Sequence, residues 1–231
     1  MLPLKDNVPT RSFPVVTVGL IAANFAVWFW ELHARASVIY RDSYYPCAVQ
    51  GPCIGPAARD HLPFWESAFT SMFMHASWLH ILGNMLFLWI FGNNVEDALG
   101  RVRFLVWYLA CGLVATATQT WVTLHYAGTA AASVPNLGAS GAIAGVLGAY
   151  LLLLPTARVL TLVFIFIVPL PAFFFLGFWF LLQLWEGGFA VTHPASGGGV
   201  AFFAHVGGFL FGAATVYLVA KRPPLRPGAA R

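Results

Sequence analysis

Four residues, Gly138-Ala139-Ser140-Gly141, place one hydroxyl where a polar, proline-containing loop runs into an apolar helix, between side chains too small to cover it. A serine at such a junction reads as a nucleophile. The start of a helix offers unpaired backbone N–H groups and the positive end of the helix dipole, both of which stabilise an oxyanion forming beside Ser140. The same small residues also have a structural reading, because a pair such as Gly141 and Gly145 lets membrane helices pack closely. A base is needed to activate the hydroxyl, and His205 offers one in the run Ala201-Phe202-Phe203-Ala204-His205-Val206-Gly207-Gly208. His80 and Asn84, four apart and so on one helix face, are further hydrogen-bond donors. The acids are Asp6, Glu31, Asp42, Asp60, Glu66, Glu96, Asp97 and Glu186, and all are expected outside the interior of the helices that carry these groups. The expectation is therefore a Ser–His dyad rather than a triad.

The elements that must position these groups follow from composition. The chain has 231 residues, 59% hydrophobic and 9% charged, with a mean hydropathy of +0.76. A soluble domain carries about 25% charged residues, so the expectation is a polytopic membrane protein. A secretory signal peptide is not expected, since the first apolar run is flanked by Pro9 and Pro14, is long enough to span, and lacks a small-residue cleavage site. The net charge of +4 reads as orientation rather than nucleic-acid binding, because no basic patch is interleaved with aromatics.

Six apolar segments lie at approximately 14–32, 77–92, 102–124, 137–154, 159–184 and 200–220, which predicts an all-α, six-transmembrane-helix bundle. The second and fourth are short for a bilayer of about 30 Å and are expected to end beneath its surface. The fifth carries Pro169 and Pro171, expected to kink or interrupt it. With the N-terminus inside, one side receives Lys5, Arg11, Arg101, Arg103, Arg158, Lys221, Arg222, Arg226 and Arg231, and the other only Arg35, Arg41 and Arg59. That asymmetry predicts both termini in the cytoplasm and, with these features, a bacterial inner (plasma) membrane location. The expected organisation is a cytoplasmic segment 1–13, a membrane domain 14–220 and a basic tail 221–231, disordered and near anionic lipid. On this topology the second, fourth and sixth helices all start outside, so His80, Asn84, Ser140 and His205 should lie at comparable depth, His205 roughly 7–8 Å in.

The outer loop from about 33 to 69 carries aromatics suited to an interface and two cysteines. Cys47 and Cys53 read three ways: a disulfide, a metal site with His61, or two unpaired thiols in a packed loop. Cys111 reads as a small buried hydrophobe. His75 reads as structural or water-binding, and His193 as a poor base, since nothing near it in sequence would hold it.

These motifs together resemble the rhomboid family of intramembrane serine proteases, over about Pro14 to Tyr217. His75-Ala-Ser-Trp-Leu-His80-Ile-Leu-Gly-Asn84 is similar to the family's H-x₄-H-x₃-N element, Gly92-Asn-Asn-Val-Glu96-Asp-Ala-Leu-Gly100 to its G-x₃-E-x₃-G inner turn, Gly138-Ala-Ser140-Gly141 to its G-x-S-G nucleophile motif, and Ala204-His205-Val-Gly-Gly208 to its A-H-x-x-G base motif. The resemblance implies Ser140 as nucleophile, His205 as base, and His80, Asn84 and the Ser140 backbone N–H as the oxyanion hole. Gly138, Gly141, Gly208 and His75 would support them. It implies no metal, no cofactor and no nucleic acid; the partners would be transmembrane protein substrates and the bilayer. Two departures stand out. Many members carry an aromatic four residues after the serine, stacked on the base, where this chain has Ala144; and the Trp-Arg pair often found in the first outer loop is replaced near Trp65, Glu66 and Ser67.

The implied reaction is attack by Ser140 on a peptide bond in or near an unwound transmembrane segment. That segment would be held as an extended strand against the loops around 127–136 and 187–200, the glycine-rich second loop acting as a lid beside the fifth helix. Two other readings compete. A non-catalytic binder of transmembrane clients would need neither Ser140 nor His205, and a small transporter predicts an internal repeat, which the sequence lacks.

Overall fold

The computed structural model describes residues 1–192 and 201–225. Six helices carry the fold: α1 (Val15–Glu31), α2 (Trp78–Leu99), α3 (Arg101–Ala132), α4 (Ser140–Leu153), α5 (Ala172–Thr192) and α6 (Phe202–Val219). Three of them, α3, α5 and α6, are long and apolar enough to cross a membrane, and α2 passes when joined to Phe64–Phe73, from which it bends by 81°. The other two, α1 and α4, are shorter apolar helices.

Local chemistry sets the ends. Ser77 caps α2, its hydroxyl accepting from the His80 N–H at 3.2 Å. The start of α1 is capped from a distance: the Glu96 carboxylate, 3% exposed, accepts from Val16 N–H at 3.0 Å and from Thr17 N–H and Oγ1 at 2.8 Å each. Next to it Asp97 holds Arg11 at 2.8 Å and Arg222 at 3.0 Å, which ties the segments before α1 and after α6 to the same end of the bundle.

At the centre, α4 is buried almost throughout. It packs on α6 backbone to backbone: a Cβ at Gly208 would run into the carbonyl of Gly141, and one at Gly212 into that of Gly145. The small-residue spacing expected of close membrane-helix contacts is therefore used here, and Ser140 stands at the head of that seam.

The all-α expectation is corrected by a three-stranded antiparallel sheet, ordered β1 (Leu2–Asp6), β2 (Arg158–Val163) and β3 (Phe166–Pro171). It takes residues from the expected N-terminal segment and the first half of the expected fifth helix. Pro169 and Pro171 do not kink a helix, because they lie in β3, an edge strand where a missing N–H costs little. The run 158–171 is rich in β-branched and aromatic residues and buries alternate side chains, Val159 and Thr161. α5 then runs unbroken from Ala172.

Candidate active site

Ser140 is the first residue of α4 and His205 the fourth of α6, so both lie within about one turn of the cavity end of their helices. The tight α4–α6 seam brings them together, with His205 Nε2 2.8 Å from Ser140 Oγ. The other ring nitrogen, Nδ1, lies 2.6 Å from Oε1 of Gln183 on α5. A carbonyl oxygen only accepts, so Nδ1 carries the proton and Nε2 is free to accept from the serine. The Gln183 amide is itself oriented by donation to the Trp179 carbonyl at 3.5 Å, one turn earlier, and the Trp179 ring lies 5.8 Å from the imidazole at a 38° tilt. Thus α5 supplies both the hydrogen-bond partner and the aromatic neighbour that Ala144, buried in the core, does not. The first turn of α6 is held from α3, where Gln119 Oε1 accepts from Ala204 N–H at 3.1 Å.

Opposite stands a second polar row, built from α2 and the break before it. His75 donates from Nδ1 to the Phe73 carbonyl at 3.3 Å and accepts at Nε2 from the Asn84 amide at 3.0 Å, leaving one Asn84 N–H unspent. The His75 backbone N–H is taken by the Glu31 carboxylate at 3.1 Å. The His80 ring packs edge-on to His75 at 5.0 Å and accepts from Ala76 N–H through Nδ1 at 3.5 Å, which leaves Nε2 as a donor. That nitrogen abuts the loop before Ser140: Gly138, at φ +123°, would put a Cβ 2.7 Å from His80 Nε2. Glycine is required there for both backbone and space.

A cavity of about 770 Å³ joins the two rows, lined by Glu31, His75, His80, Asn84, Ser140 and His205. Behind Ser140 a smaller one of about 40 Å³, bordered by Ser71, Thr116, Gln119 and Asn136, leaves room for a water molecule or two.

Several expectations need correcting. Glu96 and Asp97 fall inside α2, which runs on to Leu99, rather than outside it; like Glu31 at the end of α1 they are buried, and none of the three contacts His205 among the described residues. The loop expected at 127–136 is helical over Gly128–Ala132, and Asn136 already exchanges backbone hydrogen bonds with Tyr44, at 2.7 and 3.2 Å. Cys47 and Cys53 form a disulfide, and His61 bonds the Leu62 carbonyl; among the described residues no cluster could hold a metal. Cys111, by contrast, is fully buried as expected. His193 and the glycines 197–199 of the expected lid lie outside the described residues.

Sequence reasoning missed Gln183, Trp179 and Gln119. The available signal was a glutamine inside an apolar helix, where an amide is expensive unless it has a task, with Trp179 one turn away on the same face.

Comparison with known proteins is consistent with this architecture. The sequence model of the rhomboid domain matches residues 63–222. The chain is 33% identical over 144 residues to the "Putative rhomboid protease YdcA" of Bacillus subtilis (strain 168), covering 61% of this chain and 63% of that protein. It is 34% identical over 202 residues to the human "Presenilin-associated rhomboid-like protein, mitochondrial", covering 84% of this chain and 45% of that one. Against "Rhomboid protein 1, mitochondrial" of Saccharomyces cerevisiae it is 29% identical over 165 residues, 71% of this chain and 44% of that one. The matches therefore span less than two thirds of these relatives' own lengths. With a domain match over most of its length, the chain belongs to the rhomboid family.

Proposed function

We propose that this chain is an intramembrane serine endopeptidase whose nucleophile is Ser140 and whose base is His205. The observation that carries the reading is the 2.8 Å contact between Ser140 Oγ and His205 Nε2 at the wall of a cavity large enough for a peptide segment. In this reading all six helices span, both termini face the cytoplasm, and the membrane is a bacterial inner membrane, in keeping with the charge asymmetry and the shared anchoring of Arg11 and Arg222 on Asp97.

A transmembrane protein substrate enters the cavity with its scissile bond unwound. As Ser140 Oγ bonds to the carbonyl carbon, its proton passes to His205 Nε2, and the imidazolium so formed keeps its Nδ1–H on Gln183. The carbonyl oxygen, now negative, is met by the Ser140 backbone N–H, the unspent Asn84 N–H and His80 Nε2–H; losing one such donor typically costs about 10²–10³ in rate. His205 then returns the proton to the leaving nitrogen as the C–N bond breaks. A water, for which the pocket behind Ser140 has room, gives a proton to His205 as it attacks the acyl carbon, and Ser140 takes that proton back as the ester opens.

Cleavage of a model transmembrane substrate in proteoliposomes tests the reading. The parent cuts it and Ser140→Ala does not; equal cleavage by both would make the protease assignment untenable.

A further inference from the structure

The sheet on the side of the two termini presents apolar residues to its surroundings. Its β2–β3 turn exposes Phe164 by 93% and Ile165 by 84%, and its outward cross-strand row runs Leu2, Leu162, Ile167, while Thr161 on the opposite face is fully buried. We propose that this sheet is seated in the headgroup–acyl boundary of the bilayer leaflet nearest the termini, with the Phe164–Ile165 tip inserted.

Three observations name lipid as the occupant. The first is depth. The 14 residues of α4 rise about 21 Å, short of a hydrocarbon core of about 30 Å, and β2 follows within a few residues. The 21 residues of α5 rise about 31 Å, so Ala172 falls near the hydrocarbon edge, and its N–H donates to the Ala157 carbonyl at 2.8 Å. The hairpin therefore leaves the bundle at interfacial depth. Its surface is also continuous with the exposed Phe173 and Phe174 at the start of α5.

Second, charge and edges suit a leaflet better than a protein strand. Arg158 is the one charged residue between Leu154 and Ala172, and Lys5 is exposed on β1, a sign that favours anionic headgroups. Pro169 and Pro171 blunt the β3 edge against strand addition. Third, Phe164 holds φ +54° at the first central position of a two-residue turn that normally takes glycine. Keeping a phenylalanine there works against local turn preference, and a tip that must be apolar accounts for it.

The inference rests on the helices spanning a bilayer and is independent of the Ser140–His205 chemistry. The test uses the full chain in phosphatidylcholine–phosphatidylglycerol vesicles, with Ile165→Cys carrying an environment-sensitive fluorophore. Cys111 is buried and Cys47 and Cys53 are paired, so the label goes to the new thiol. A tip about 5–10 Å below the headgroups is quenched by shallow doxyl lipid about twice as strongly as by deep doxyl lipid, and is shielded from aqueous iodide. A label at Phe178→Cys on α5 should show the reverse depth preference; if neither lipid quenches it, the membrane reading itself fails. Free iodide quenching at Ile165 without doxyl quenching would overturn the proposal. So would energy transfer between labelled copies that survives dilution into excess lipid, since a second chain would then cover the tip.

Discussion

Replacing Gln183 by Leu removes the acceptor 2.6 Å from His205 Nδ1 without adding bulk to the α5–α6 contact. On the proposed mechanism the Nδ1–H loses a neutral partner in the resting state, worth about 0.5–1.5 kcal/mol, whereas in the transition state the ring is cationic and the same bond is worth about 1.5–3 kcal/mol. The two stages differ by about 1–2 kcal/mol, and freeing the ring to place its proton on Nε2 removes the base from part of the population, adding to the loss. At 1.36 kcal/mol per factor of ten, kcat should fall about 10- to 100-fold. KM should stay within about twofold, because the amide is engaged by His205 and the Trp179 carbonyl rather than offered to the cavity. Gln183→Glu restores an acceptor at the same reach and should recover more of kcat than Leu does. The assay is the initial rate of cleavage of a fluorogenic transmembrane peptide in proteoliposomes, with thermal unfolding of each variant as the folding control. A Leu variant with kcat within twofold of the parent, while Ser140→Ala is inactive, would refute the claim that Gln183 orients the base and leave the protease reading intact.

Other outcomes follow from the same packing. Gly138→Ala sets a methyl against the His80 ring at a φ of +123°, so it should lower kcat at least tenfold and stability by roughly 1–3 kcal/mol, read by the same rate assay and by thermal unfolding. Glu96→Ala strips the cap from α1, leaves buried donors on Val16 and Thr17, and should cost roughly 3–5 kcal/mol of stability, with Glu96→Gln recovering part of it; equal melting of the Ala variant and the parent would contradict this. Asp6 accepts from Tyr150 Oη and Asn94 Nδ2, each at 2.7 Å, yet burial dominates and lifts its carboxyl from an ordinary 3.8 to about 6. The folded chain thus holds this proton more tightly than the unfolded one. Its contribution is full below about pH 4 and is lost as pH rises to about 6, by about 2–3 kcal/mol in all. Asp6→Asn should flatten that slope in detergent unfolding measured from pH 4 to 7, and an unchanged slope would assign it to another group.

The polar residues that line the cavity were legible because membranes make polar groups conspicuous: Ser140, His205, His80 and Asn84 stand out in apolar helices, and the expected topology set them at comparable depth. Hydropathy also located the first, fourth and sixth helices to within a few residues and the starts of the second and third, which run on to Leu99 and Ala132, seven and eight residues past their apolar segments. In the expected fifth helix the run 158–171 is as apolar as a helix, and only its β-branched alternation and two prolines marked the strands. β1 was hidden for a different reason, since a five-residue strand has no meaning until a partner from residue 158 onward lies beside it. Gln183 was missed because its value depends on which face of α5 meets α6, and sequence alone does not say. Glu96 and Asp97 were placed outside the second helix because its apolar run ends at 92; burial of Glu96, like that of Glu31, depends on a partner distant in sequence, the start of α1 for Glu96 and the His75 N–H for Glu31.

The central claim is that His205 makes Ser140 a nucleophile. Its most direct measurement is the labelling rate of the parent by a fluorophosphonate in detergent, with the modified residue mapped by mass spectrometry, beside His205→Ala and Ser140→Ala. The account predicts one adduct, on Ser140, formed at least about 100-fold more slowly without His205 and absent without Ser140. An adduct elsewhere, no adduct in the folded parent, or equal rates with and without His205 would contradict it.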